Sequence, residues 1–143
     1  MDHVVYLDQK ANELEKLLKG QKTMVIRGAA GRKMPYGRVE TNDTLYFIEN
    51  DGSGVIKARG NVVGVQNSDK MTKEASTALV EAHQDKLSMS KAQYERWAGK
   101  RFLVLIDVNQ IVELAPFKLD RHEYGNMDDW LPVGSIDQAR GSP

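Results

Sequence analysis

Two periods of hydrophobic spacing organise the first fifty residues. Val4, Val5, Tyr6 and Leu7 form a short apolar run that predicts a strand. Leu7, Ala11, Leu14 and Leu18 then recur at helical spacing, and Leu17 widens the stripe. Asp8 is placed to cap that helix, and Gly20 to close it as the residue past its end. Lys22 to Arg27 is β-rich and reads as a second strand. Gly28 to Gly37 carries three glycines and Pro35, the composition of a loop.

A hairpin follows. Leu45 to Glu49 is one arm, Asn50 to Gly54 the turn, and Val55 to Val65 the other arm. Gly60, inside the second arm, predicts a bulge or bend. Thr72 caps a helical stretch whose apolar stripe is Met71, Ala75, Ala78, Leu79 and Ala82. Ser90 and Gln93 have capping-box spacing ahead of a short helix, with Tyr94, Trp97 and Ala98 on one face and Gly99 at its end. That stripe assigns Trp97 to the core. Phe102 to Val108 is apolar on both faces and reads as a central strand, with Ile111 to Leu114 continuing or pairing beside it. From Pro116 onward the pattern predicts mostly loop, and Gly141 to Pro143 a frayed end. Strands and helices do not alternate regularly, which argues against a doubly wound parallel sheet. The expected class is α+β: a bent, mostly antiparallel sheet or barrel with flanking helices.

The chain has 143 residues, the size of one domain, with 41% apolar and 28% charged residues. Twenty basic residues balance twenty acidic ones. Cysteine is absent, which excludes disulfides, thiolate metal sites and cysteine nucleophiles and suits a cytoplasmic setting. No apolar run approaches the roughly 20 residues of a membrane span. Met1-Asp2-His3 lacks the basic start of a signal peptide.

The neutral total hides an asymmetry. Lys16 to Val39 carries seven basic residues and no acid, whereas Asp107 to Asp137 carries seven acids against Lys118 and Arg121. A local basic strip holds an anion even on a neutral protein, because its field reaches over a Debye length of about 8–10 Å. The alternative is that the two segments neutralise each other across the fold.

Several chemistries are missing. His3, His83 and His122 show no paired spacing, so no metal site is expected. The loop from Gly28 to Lys33 fits neither a Walker A motif nor GxGxxG, and no cofactor is implied. Asp128-Asp129 beside Trp130 reads as a solvated acidic loop or, less simply, as a carboxylate site; Trp130 itself is a candidate to line a pocket. Arg32, Lys33 and Arg38 do lie on a glycine-rich loop with exposed amides, and Tyr36 supplies a ring on which a base can stack.

Gly20, Lys22 and Arg27 together resemble the GxKxxxxR signature of ASCH domains, members of the PUA-like superfamily. The surrounding order of helix, strand, loop and strand pair is similar over roughly residues 3 to 118, leaving 119–143 as an extension of a single domain. The resemblance implies a PUA-like bent β-barrel that binds RNA or a modified nucleotide. Some small ASCH proteins resemble amidohydrolases acting on acetylated cytidine, with a lysine in the signature, a threonine three residues later and a downstream glutamate. Lys22 matches the lysine, but Val25 stands at the threonine position, with Thr23 nearby, and the downstream acid falls near Asp85 or Glu81. The departure at Val25 leans against an enzyme; were it one, Lys22, Thr23 and Asp85 would carry the chemistry.

The expected ligand is therefore RNA or a nucleotide, held by Lys22, Arg27, Arg32, Lys33, Tyr36 and Arg38. Lys57, Arg59 and Asn61 alternate on one strand face and would extend that surface, unless it is merely a solvated sheet face. A third reading is an interaction domain that meets a protein partner through the acidic segment Asp120 to Asp137.

Overall fold

In the computed structural model, which describes residues 1–122, 124 and 129–141, Phe102 to Ile106 is apolar at every position because both faces of its strand are covered. Val104 and Ile106 point into one core, while Leu103 and Leu105 point into a second core on the opposite face. The strand is β5 (Phe102–Lys118), a single 17-residue run that includes Ile111 to Leu114. The other strands are β1 (Asp2–Leu7), β2 (Met24–Ala29), β3 (Thr44–Glu49), β4 (Val55–Asn67) and β6 (Trp130–Gly134). They form one sheet in the order β2-β5-β4-β3-β1-β6. Among the described residues, only the β1/β3 pairing is parallel.

This mixed sheet curls into a half-barrel flanked by four helices, the bent α+β architecture expected from the sequence. Its curl comes from β4 and β5, whose pairing shifts register three times. One shift brackets Gly60. A Cβ there would stand 2.5 Å from Ile111 Cδ1 and 3.3 Å from Phe47 Cε2, so any side chain at this position would have to displace the tip of Ile111.

Helix α1 (Glu13–Leu18) puts Leu14 and Leu17 into the first core, which also holds Val25, Phe47 and Trp130. It begins later than Asp8 because residue 12 breaks it: Asn12 has φ 55°. Asp8 instead organises the preceding turn. Its Oδ1 accepts from Ala11 N at 3.2 Å, and its own N–H donates to Glu13 Oε1 at 2.8 Å. Gly20 follows the helix at φ +75°, as expected.

Helices α2 (Lys73–Ala82), α3 (Gln84–Leu87) and α4 (Lys91–Trp97) cover the second core. Helix α2 buries Ser76 and Val80; of the expected stripe, Met71 and Leu79 pack against the same core, whereas Ala75, Ala78 and Ala82 are exposed. Alanine offers too little area to orient a helix against a β-branched competitor. Helix α4 has the full capping box of Ser90 and Gln93.

The segment after Pro116 is not mostly loop. β5 continues to Lys118, and β6 joins the sheet against β1 with a 3₁₀ turn, Ile136–Ala139, behind it. Leu131, Val133, Ile136 and Ala139 close a third core with Val4, Ile48 and Ile56. Gly141 is held too, its N–H donating to Lys118 O at 2.8 Å. Ser142 and Pro143, the rest of the expected frayed end, lie outside the described residues.

Candidate functional site

The half-barrel leaves a seam. Its edge strands, β2 and β6, share no ladder. Arg27 fills that gap. It lies on the same face of β2 as Val25, one step nearer the end of the strand, and is only 6% exposed. Its guanidinium donates to Tyr6 O on β1 at 2.6 Å and to Ile26 O at 2.7 Å. It lies between two indoles, 5.8 Å from the Trp97 centroid and 5.6 Å from that of Trp130. Its Nε is 3.3 Å from Asp129 Oδ2, just before β6.

Beside this latch opens a cleft of about 810 Å³. Its walls come from the β1–α1 turn, the end of β2 with the following loop, and α4 with its C-terminal turn. Among the described residues, five cations line it, Lys10, Arg27, Lys33, Arg96 and Lys100, against three carboxylates, Asp8, Glu13 and Asp129. Gln9, Asn50 and Gln93 add amides, and Trp97 adds a ring. The Arg96 guanidinium stacks on Trp97 at 4.3 Å and stays 61% exposed. Gly28 lines the cleft where a Cβ would lie 2.7 Å from Leu103 Cδ2.

Behind the wall lies a buried ion pair. Lys22 Nζ is 3.4 Å from Glu13 Oε2 and donates to Leu87 O at 2.6 Å. Burial pushes the Lys22 ammonium below the ordinary lysine range, and the attraction of Glu13 only partly restores it. Glu13 reaches the cleft, whereas Lys22 touches it only through Glu13.

A second network underlies the site. Trp130 Nε1 donates to His3 Nδ1 at 3.1 Å, and an indole nitrogen only donates. The ring proton of His3 is therefore on Nε2, which faces Asp43 Oδ2 at 2.8 Å. This chain fixes the indole against which Arg27 rests.

The expected binding residues divide by location. Arg27 and Lys33 meet in the cleft. Arg32, Tyr36 and Arg38 share the neighbouring loop but do not line it; Arg32 stacks at 5.6 Å on both Tyr36 and Phe102, and the Tyr36 hydroxyl donates to Ser68 O. Lys57 lies elsewhere, paired with Glu49 at 3.1 Å and Asp51 at 3.8 Å. Of the residues named for an amidohydrolase, Thr23 and Asp85 are exposed and line no part of the cleft, Glu81 accepts from the Tyr94 hydroxyl, and Val25 is fully buried in the first core. Trp97 is both core residue and cleft wall; Trp130 is buried behind Arg27 instead of lining the pocket. Asp129 is not a freely solvated loop acid, since it lies within ion-pair distance of both Arg27 and Arg96; Asp128 lies outside the described residues. Lys10, Arg96 and Lys100 lie outside the acid-free run, and the fold brings them to it from two other segments. The legible signal was Arg96-Trp97 with Lys100 close behind, cations flanking an aromatic ring.

No group of His, Cys, Asp or Glu among the described residues is arranged to hold a metal ion. No helix among them is long and apolar enough to cross a membrane.

No protein-family profile and no curated protein sequence matches the chain. Its fold does match solved structures. An ASCH protein from Zymomonas mobilis superposes with a TM-score of 0.70 at 12% identity, covering 96% of this chain and 90% of that one. A point mutant of the same protein gives 0.71 over 96% and 93%. The N-terminal domain of McrB from Staphylothermus marinus gives 0.56 at 11% identity, over 96% and 90%. The chain therefore shares the fold of these ASCH structures.

Proposed function

We propose that this protein is an RNA- or nucleotide-binding module of the cytoplasm, and that its ligand lies in the cleft beside Arg27. The observation that carries the reading is the seam itself: a buried arginine held between two indoles, at the wall of an 810 Å³ cleft edged by Lys10, Lys33, Arg96 and Lys100. Lysine and arginine neutralise phosphates, Trp97 offers a surface for stacking, and the amides of Gln93 and Asn50 suit base edges or a ribose hydroxyl. The shared fold with ASCH structures and a McrB domain is consistent with this use. Arg32, Tyr36 and Arg38, on the adjoining loop, would extend the path of a longer strand.

The test is a titration of fluorescent single-stranded RNA at several salt concentrations. Three phosphate contacts give a slope of log K against log salt of roughly −2, at about −0.7 per contact. Arg96→Ala with Lys100→Ala should weaken binding at least about tenfold and flatten the slope by about 1.4 if each cation holds one phosphate. Unchanged affinity and slope in a folded double variant would remove the cleft from the binding site.

A second reading, a small amidohydrolase, draws support from the buried Glu13–Lys22 pair behind the cleft wall. Against it, a threonine at position 25 would face the core. Incubation with acetylated cytidine should release no appreciable acetate; turnover abolished by Lys22→Ala would reverse the ranking.

A further inference from the structure

The Arg27 latch is an incomplete ion pair. Asp129 Oδ2 stands 3.3 Å from Arg27 Nε and 3.6 Å from Arg96 Nη2, both longer than the roughly 2.7–2.9 Å of a charge-assisted hydrogen bond. Arg27 Nε is buried and has no hydrogen-bond partner. Such an orphaned donor is costly, and it is rare in folded proteins. Arg27 cannot move to repair the geometry, because two carbonyls and two indoles hold it. Asp129 is tethered as well: its carbonyl accepts from Tyr6 N at 3.0 Å. Only its carboxylate, on a side chain 36% exposed, is free to swing toward solvent.

A tetrahedral oxyanion entering the cleft would meet neither restriction. It is untethered, it carries several acceptor oxygens, and Arg96 is exposed enough to follow it. We propose that the Asp129 carboxylate occupies the place of a ligand phosphate, and that a phosphate group binds Arg27 Nε and Arg96 by displacing it. The inference rests on the cleft reading above and adds to it a built-in competitor. Asp129 sets a threshold: weak anions such as chloride fail to displace it, and a phosphate succeeds. It also keeps Arg27 from being an isolated buried charge while the cleft is empty.

Inorganic phosphate is the first probe, measured by calorimetry on the whole chain at low salt. Asp129→Asn should raise its affinity about tenfold, the scale of one charge-assisted hydrogen bond freed for the ligand. Asp8→Asn is the control. It removes the same charge from the same cleft, so a nonspecific field effect would raise affinity equally in both, and equal gains would overturn the proposal. No gain in Asp129→Asn would overturn it too. Should that variant fail to fold, the wild type decides: on phosphate titration the Arg27 Nε–H proton resonance should move downfield with saturation, and a resonance that stays put refutes displacement. Two RNAs, one 5′-phosphorylated and one with a 5′-hydroxyl, separate a terminal phosphate from an internal diester as the source. A gain from Asp129→Asn limited to the phosphorylated RNA assigns the terminal group, an equal gain on both assigns the diester, and a gain on neither contradicts displacement by RNA. Weakened RNA binding in Arg96→Ala/Lys100→Ala without any gain from Asp129→Asn would leave the cleft reading standing and this inference refuted; loss of both effects would refute both.

Discussion

Removing the Arg27 guanidinium strands Tyr6 O at the seam and empties the space between Trp97 and Trp130. Arg27→Ala should therefore cost about 3 kcal/mol, from lost charged hydrogen bonds and packing together. Chemical denaturation checks this, and a loss under 1 kcal/mol would mean that the seam is held without it. Asp43 gives a residue-scale prediction in pH. Burial pushes its carboxyl up, but the Glu40 backbone N–H, the His3 ring and the N-terminal ammonium outweigh that and leave its pKa lowered. A carboxyl whose folded pKa is depressed stabilises above its unfolded value, about 3.9, and that contribution disappears as pH falls through the folded value. Melting temperature should fall in this acid window, and Asp43→Asn should flatten the fall. An acid limb identical in both proteins would contradict the assignment.

At the scale of elements, Gly60 decides the curl. Gly60→Ala forces its methyl group into Ile111 Cδ1 and should cost about 1–3 kcal/mol. Ile111→Ala alone should be mildly destabilising, and in the double variant the clash should be relieved, giving a coupling of about 1 kcal/mol in a double-mutant cycle. Additive losses would show that the bulge tolerates a side chain. Gly60, the Ser90–Gln93 box and the two-faced run from Phe102 were readable in the sequence because each is a local rule, set by neighbours a few residues away. The true start of α1 was not, since it depends on Asn12 adopting positive φ while Asp8 and Glu13 exchange bonds around it. β6 was missed for a related reason. Trp130 to Gly134 is short and contains Pro132, and it is a strand only because β1 offers an open edge.

For the whole molecule, the cleft was legible only in pieces. Of the signature residues, Arg27 lies on the strand that borders it and Lys22 just before that strand, yet one faces a seam and the other a buried glutamate. The acid-free run dispersed into several roles: Lys16 donates to Ser88 O, Lys19 pairs with Glu15, and Arg32 stacks on rings. The acidic segment also dispersed, with Asp129 in the cleft and Asp137 paired with Arg140. Charge along a sequence predicts a surface only where the fold keeps neighbours together, and here three separate segments supply the cleft cations. Entry of RNA phosphates into that cleft is tested by an NMR titration of the uniformly labelled chain with a short single-stranded RNA. The Arg27 Nε–H, the Trp97 indole N–H and the Gly28 and Lys100 amides should shift together and saturate, while the Lys57 and Arg59 amides on β4 stay in place. Saturable shifts centred on Lys57 and Arg59, with the Arg27 and Trp97 signals unmoved, would contradict it.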